Sequence, residues 1–134
     1  PQEFRENAVT YNTATLYFYQ KKYDKVIQLL NQVEYEDLAY NLNSKLMLIA
    51  VYYETDEIEP LYSLFESFRV YLNRKKEITQ DHKKFYTNFI KFTKKLTKVI
   101  PGDKRVIDKL KSEIGETKGI ANLKWLKEKI AELE

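Results

Sequence analysis

The 134-residue chain is predicted to be all-α, and three features carry that prediction. Apolar residues recur at three- and four-residue steps almost throughout, which is the helical period. Strict apolar/polar alternation, the mark of a half-buried strand, is rare. Only three Gly and three Pro are present, too few to supply the turns of a sandwich or barrel, or a Gly-rich phosphate loop. With 43% hydrophobic residues against 32% charged, the chain can bury a core.

Seven helices follow in order. The first runs to about Gln20 with Tyr11, Ala14, Tyr17 and Phe18 on its apolar side, and Gln20-Lys21-Lys22 breaks it. A shorter second helix carries Val26, Ile27, Leu30 and Val33. The third spans about Asp37 to Thr55 on Leu38, Leu42, Leu46, Ile49 and Tyr52. The fourth uses Leu61, Phe65, Phe68 and Leu72, with Pro60 in its first turn, where a missing amide proton costs nothing. The fifth, from about Thr79 to Ile100, has its stripe at Phe85, Phe89, Phe92, Leu96 and Val99, with Lys83, Lys84, Lys91, Lys94, Lys95 and Lys98 largely off it. Pro101-Gly102 ends it, and Asp103 caps a sixth helix on Val106, Leu110 and Ile114. Gly115 and Gly119 bracket a break before a last helix on Leu123, Leu126, Ile130 and Leu133, anchored by Trp125.

The helices pair as hairpins, and two hairpins align. Tyr17, Tyr23, Val26 and Leu30 correspond to Tyr52, Ile58, Leu61 and Phe65, each displaced by 35 residues. One hairpin cannot cover its own apolar face, so such units fold by stacking. The resulting organisation is one helical-repeat domain over 1–134: a first hairpin at 1–35, a second at 36–76, a degenerate third at 77–117 and a capping helix at 118–134. Because residue 1 is Pro rather than Met, the chain reads as a piece of a longer protein.

The formal charge of +3 conceals an asymmetry. Through Asp56 there are five basic residues against eight acidic ones, whereas 69–105 holds twelve basic residues and only Glu77, Asp81 and Asp103 as acids. No apolar run reaches the roughly 18 to 20 residues of a membrane span. The absence of Cys excludes a disulfide framework and a Cys-based zinc finger, and is compatible with a cytoplasmic location.

Ala14, Tyr17, Tyr23, Val26, Leu30 and Val33 resemble the tetratricopeptide pattern: a small residue, an aromatic three later, a second aromatic after the turn, then modest apolar positions. Tyr17 to Lys25 is similar to the turn of such a hairpin, and Tyr40 through Leu72 to the terminal repeats of uncharacterised tetratricopeptide-like proteins of Bacteroidota, which are bacterial. Thr10 and Lys45 stand where the family has its early Trp. The resemblance implies a right-handed α-solenoid serving as a protein-interaction scaffold, with a peptide or partner subunit on its concave face. It places Tyr11, Thr15, Phe18 and Tyr19, then Asn43, Leu46, Tyr53 and Glu54, toward that face. Of these Tyr11, Thr15, Tyr19, Asn43, Tyr53 and Glu54 are the candidate partner-binding residues, since Tyr offers contact area at small entropic cost.

The alternative reading is nucleic-acid or other polyanion binding through 69–105, with Arg74, Lys75, Lys76, Lys91, Lys94, Lys95 and Lys98 neutralising phosphates. Against it, the aromatics of the fifth helix occupy the core stripe and cannot stack on bases. Enzymatic chemistry finds no support. His82, the single His, has no second His or converging carboxylate at metal-ligand spacing. The run Glu54, Asp56, Glu57, Glu59 reads as charge favouring a helix start rather than as an acid/base pair. No catalytic residue, metal or cofactor is expected.

Overall fold

A computed structural model describes residues 2–31 and 37–134. The described residues form seven helices and no strand: α1 Gln2–Tyr19, α2 Tyr23–Asn31, α3 Leu38–Glu54, α4 Ile58–Arg74, α5 Gln80–Thr97, α6 Lys104–Glu116 and α7 Leu123–Leu133. Val33, expected on the second helix's apolar face, lies outside the described residues. The chain resolves into two compact units, Pro1–Phe68 and Arg69–Glu134.

In the first unit α1, α2 and α3 pack against one another. Ala14, Val26, Leu30, Leu48 and Val51 form the buried cluster, and Tyr17, Tyr23 and Tyr52 lean on it half-buried. Asp37 starts α3 by accepting from the Tyr40 amide at 3.0 Å.

The 35-residue offset is visible in the backbone. After α1, the Lys22 amide donates to the Tyr17 carbonyl at 2.9 Å and the Lys21 amide to Phe18 at 3.0 Å. After α3, Glu57 donates to Tyr52 at 2.9 Å and Asp56 to Tyr53 at 3.2 Å. These paired bonds close both helices with a Schellman-type turn, normally completed by Gly at the left-handed position. Here that position holds Lys21 and Asp56, both at φ 60°. The side chains agree with the offset too: Ala14 and Ile49, Val26 and Leu61, Leu30 and Phe65 are all buried.

In the second unit α5, α6 and α7 pack against one another. Phe89, Phe92, Leu96 and Leu126 are fully buried, and Trp125 meets Phe89 at 5.8 Å between ring centroids. Thr79 caps α5 through the His82 amide at 3.1 Å, and Asp103 caps α6 through the Val106 amide at 3.4 Å.

Four expectations are corrected here. Phe85 is 38% exposed rather than core. The segment entering α7 crosses α5 at that point, with the Ala121 amide on the Phe85 carbonyl at 3.0 Å and Asn88 Nδ2 on the Gly119 carbonyl at 3.0 Å. Phe85 therefore rests against Gly119, where an added Cβ would come within 2.8 Å of the ring, and its other side stays open. Lys83 is buried instead, on a second covered stripe with Tyr86, Ile90 and Thr93. Helix α5 stops at Thr97, short of Ile100 and the Pro-Gly pair, and Gly102 at φ 85° donates its amide to the Leu133 carbonyl at 2.8 Å. Gly115 lies inside α6, which ends where the Thr117 amide and hydroxyl turn back to the Ile114 and Glu113 carbonyls.

Candidate functional site

Basic side chains converge where α5 ends and α6 begins. Lys95, Lys98 and Val99 form one wall of a cleft of about 340 Å3, and Arg105, Val106, Lys109, Leu110 and Glu113 form the other. The register explains the grouping. Residues 105, 109 and 113 fall four apart on α6, as do 106 and 110 beside them, so one α6 face presents a charged row and an apolar row together. Val99, Val106 and Leu110 make an apolar floor, with Lys95, Lys98, Arg105 and Lys109 around it.

Glu113 is the acid of this cleft, and it is already engaged. Lys95 Nζ donates to Glu113 Oε2 at 2.5 Å. That hydrogen bond, with the charges of Lys95, Lys109 and Lys91, holds the Glu113 carboxyl below its ordinary value of 4.5. Among the described residues Lys98, Arg105 and Lys109 make no ion pair within 4 Å, and the lining's four cations outnumber its one acid, so the rim keeps an excess of positive charge.

The expected polyanion residues divide. Lys95 and Lys98 line the cleft, and Lys91 acts on Glu113 while its ammonium sits 5.2 Å from the Phe92 ring centroid. Lys94 is half-buried and is not part of the lining. Arg74 and Lys75 both lie over the Tyr71 ring, at 6.0 and 5.4 Å, and Lys76 beside them is exposed. Lys109 lies outside the 69–105 stretch of the sequence reading, and Arg105, at its end, is not among the residues named from it. Their signal was the pair of four-residue steps Arg105–Lys109 and Val106–Leu110.

The expected partner-binding residues of the first unit are partly occupied. The Tyr11 ring packs on Tyr40 at 5.2 Å, and burial raises its phenol pKa above the usual value. The Thr15 hydroxyl donates to the Tyr11 carbonyl at 3.0 Å. Tyr53, Glu54 and Leu46 are half-buried, as is Phe18, whose ring meets Tyr23 at 5.8 Å. Tyr19, at 79% exposure, and Asn43 are open. Sequence reasoning missed Val9 and Leu16, which share an exposed face of α1 with Tyr19 at steps of seven and three.

His82 is exposed, its Nε2 3.5 Å from the Tyr86 hydroxyl, and the acidic residues Asp56, Glu57 and Glu59 point to solvent. Among the described residues no three His, Cys, Asp or Glu side chains are grouped to hold a metal, and no helix is long and apolar enough to cross a membrane. Comparison with protein-family models, curated proteins and solved structures gives no match.

Proposed function

We propose that the chain is a non-enzymatic protein-interaction module whose α5–α6 cleft takes an anionic segment of a protein partner. The observation that carries this reading is the combination of uncompensated cations with a Val/Leu floor. A peptide with carboxylates flanking an aliphatic side chain satisfies both parts, the charges steering the encounter and the apolar contact holding it. Nucleic acid satisfies only one. Its phosphates would meet the rim but leave the Val/Leu floor unmatched; Phe89 and Phe92 are fully buried, and the partly exposed Phe85 does not line the cleft, so bases find no stacking surface there. The tetratricopeptide resemblance of the sequence favours the same functional class. It pointed to the tyrosine face of the first unit, whereas the cleft described above lies in the second.

The test is fluorescence anisotropy with a labelled peptide in which Ile or Leu is flanked by Glu, beside a labelled DNA duplex of matched charge. Lys98→Glu/Arg105→Glu/Lys109→Glu should weaken peptide binding at least about tenfold, and binding should fall as salt shortens the Debye length from about 10 Å at 0.1 M. Preferential binding of the duplex would hand the site to the nucleic-acid reading. Peptide affinity indifferent to the triple substitution would remove the cleft from the function.

A further inference from the structure

We infer that the anionic segment is the α3–α4 turn of a second copy of this chain, so that copies associate head to tail. The inference rests on the cleft reading above and adds the identity of the partner. Its first support is the charge distribution. Residues 1–68 carry eleven acidic and five basic side chains, and residues 69–134 carry nine acidic and eighteen basic ones. Balances of −6 and +9 within one chain of +3 make each unit the electrostatic complement of the other unit on a neighbouring copy.

The second support is the shape of the turn. Asp56 sits at φ 60° and the two Schellman-type bonds fix the backbone through Glu57. Asp56, Glu57 and Glu59 are exposed around Ile58, itself 45% exposed although it is a large aliphatic residue. One branched aliphatic side chain among three carboxylates is the chemical inverse of an apolar floor ringed by Lys98, Arg105, Lys109 and the Glu113-bound Lys95. The cleft volume of about 340 Å3 lies near the lower end of the roughly 300–1,000 Å3 of ligand cavities, which suits a turn rather than a whole helix. A turn already held by backbone hydrogen bonds loses little conformational freedom on docking.

The molecule also supplies an internal control. The α1–α2 turn has the same backbone geometry 35 residues earlier but reads Lys21, Lys22, Tyr23, Asp24, Lys25. Its charge is of the wrong sign for the cleft, so geometry alone does not select the α3–α4 turn. Sign and the exposed Ile58 do.

A contact between two different surfaces leaves one of each unfilled, so association continues until a ring closes or a filament grows. Sedimentation velocity of the full chain at low salt should show a mass above 16.1 kDa that rises with concentration. It should return to the monomer at about 1 M salt, where the Debye length is about 3 Å. Two variants, their helix content checked by circular dichroism, each remove one surface: Asp56→Asn/Glu57→Gln/Glu59→Gln in the turn, and Lys98→Glu/Arg105→Glu/Lys109→Glu in the cleft. Each should be monomeric alone, and an equal mixture should give a one-to-one dimer that grows no further, because only one competent contact remains. Wild-type chain that stays monomeric up to about 1 mM, or self-association that either variant retains, would overturn the inference. If the Glu-flanked peptide still bound that monomer, only the second copy would be withdrawn. If the peptide also failed to bind, the cleft reading would go with it.

Discussion

The two units are built by the same helical logic from different chemistry. Residues 1–68 hold nine of the eleven Tyr and an excess of acid, and residues 69–134 hold fifteen Lys and a core centred on Phe89, Phe92 and Trp125. In the first unit Tyr11, Tyr17, Tyr23, Tyr40 and Tyr52 pack half-buried against a small aliphatic cluster. In the second Phe89 and Phe92 are wholly enclosed, and long lysine stems lie over Phe92, those of Lys91 and Lys95. Periodicity is thus enough to specify helices in both, and what decorates the solvent side is left free to differ. That freedom is where the recognition chemistry resides.

The contrast between the enclosed Phe89 and the half-buried Tyr17 implies unequal sensitivity to truncation. Phe89→Ala should cost about 3–5 kcal/mol, since a fully buried ring leaves a cavity beside Trp125. Tyr17→Ala, at a half-buried position, should cost clearly less, about 1–2 kcal/mol. Urea unfolding measures both. Trp125, the single Trp, reports the second unit by fluorescence, and far-ultraviolet circular dichroism reports every helix. Equal costs at the two sites would erase the distinction between an enclosed ring and one leaning on the core edge. Separate midpoints for the two signals in wild type would instead extend it from packing to cooperativity.

A smaller effect tests the likeness inside the first unit. Lys21 and Asp56 occupy equivalent left-handed positions, which cost a side chain about 1–2 kcal/mol except where a short polar group such as Asp bonds locally. Replacing Lys21 by Gly should therefore raise stability by about 0.5–1 kcal/mol, after the flexibility Gly adds to the unfolded chain is offset. Asp56→Gly should gain less. A loss of stability at either position would mean that the lysine or aspartate side chain does something in the turn beyond tolerating φ 60°.

Those turns show what the sequence made legible. Apolar spacing located the seven helices of the described residues, and the 35-residue correspondence located turns whose two closing hydrogen bonds match. Periodicity failed where a neighbour other than the expected one covered a face. Nothing local to Phe85 announces that Gly119 and Ala121 arrive beside it, and nothing local to Lys83 announces a second buried stripe. The cleft was half legible for the same reason. Lys95 and Lys98 stood out as part of a charge run, but Arg105 and Lys109 become their neighbours only once the chain reverses between α5 and α6.

The finest distinction concerns Glu113, the acid that separates the cleft from a uniformly cationic surface. Its carboxyl is held below 4.5 by the Lys95 hydrogen bond first and by nearby lysine charges after it. A depressed carboxylate contributes stability above its unfolded value, and that contribution disappears as pH falls through the lowered one, so the window opens only below about 4.5. Across neutral pH Glu113 stays ionised and competes with any anion for Lys95. Glu113→Gln should therefore tighten binding of the Glu-flanked peptide at pH 7 by about two- to fivefold, a modest change because the pair is partly open to solvent and screened. The tightening should vanish in the Lys95→Gln background, where no cation remains to be released. Weaker binding in Glu113→Gln would reverse the assignment: the carboxylate would then be orienting Lys95 for its ligand, and the cleft would be a preorganised site rather than a cationic surface partly neutralised from within.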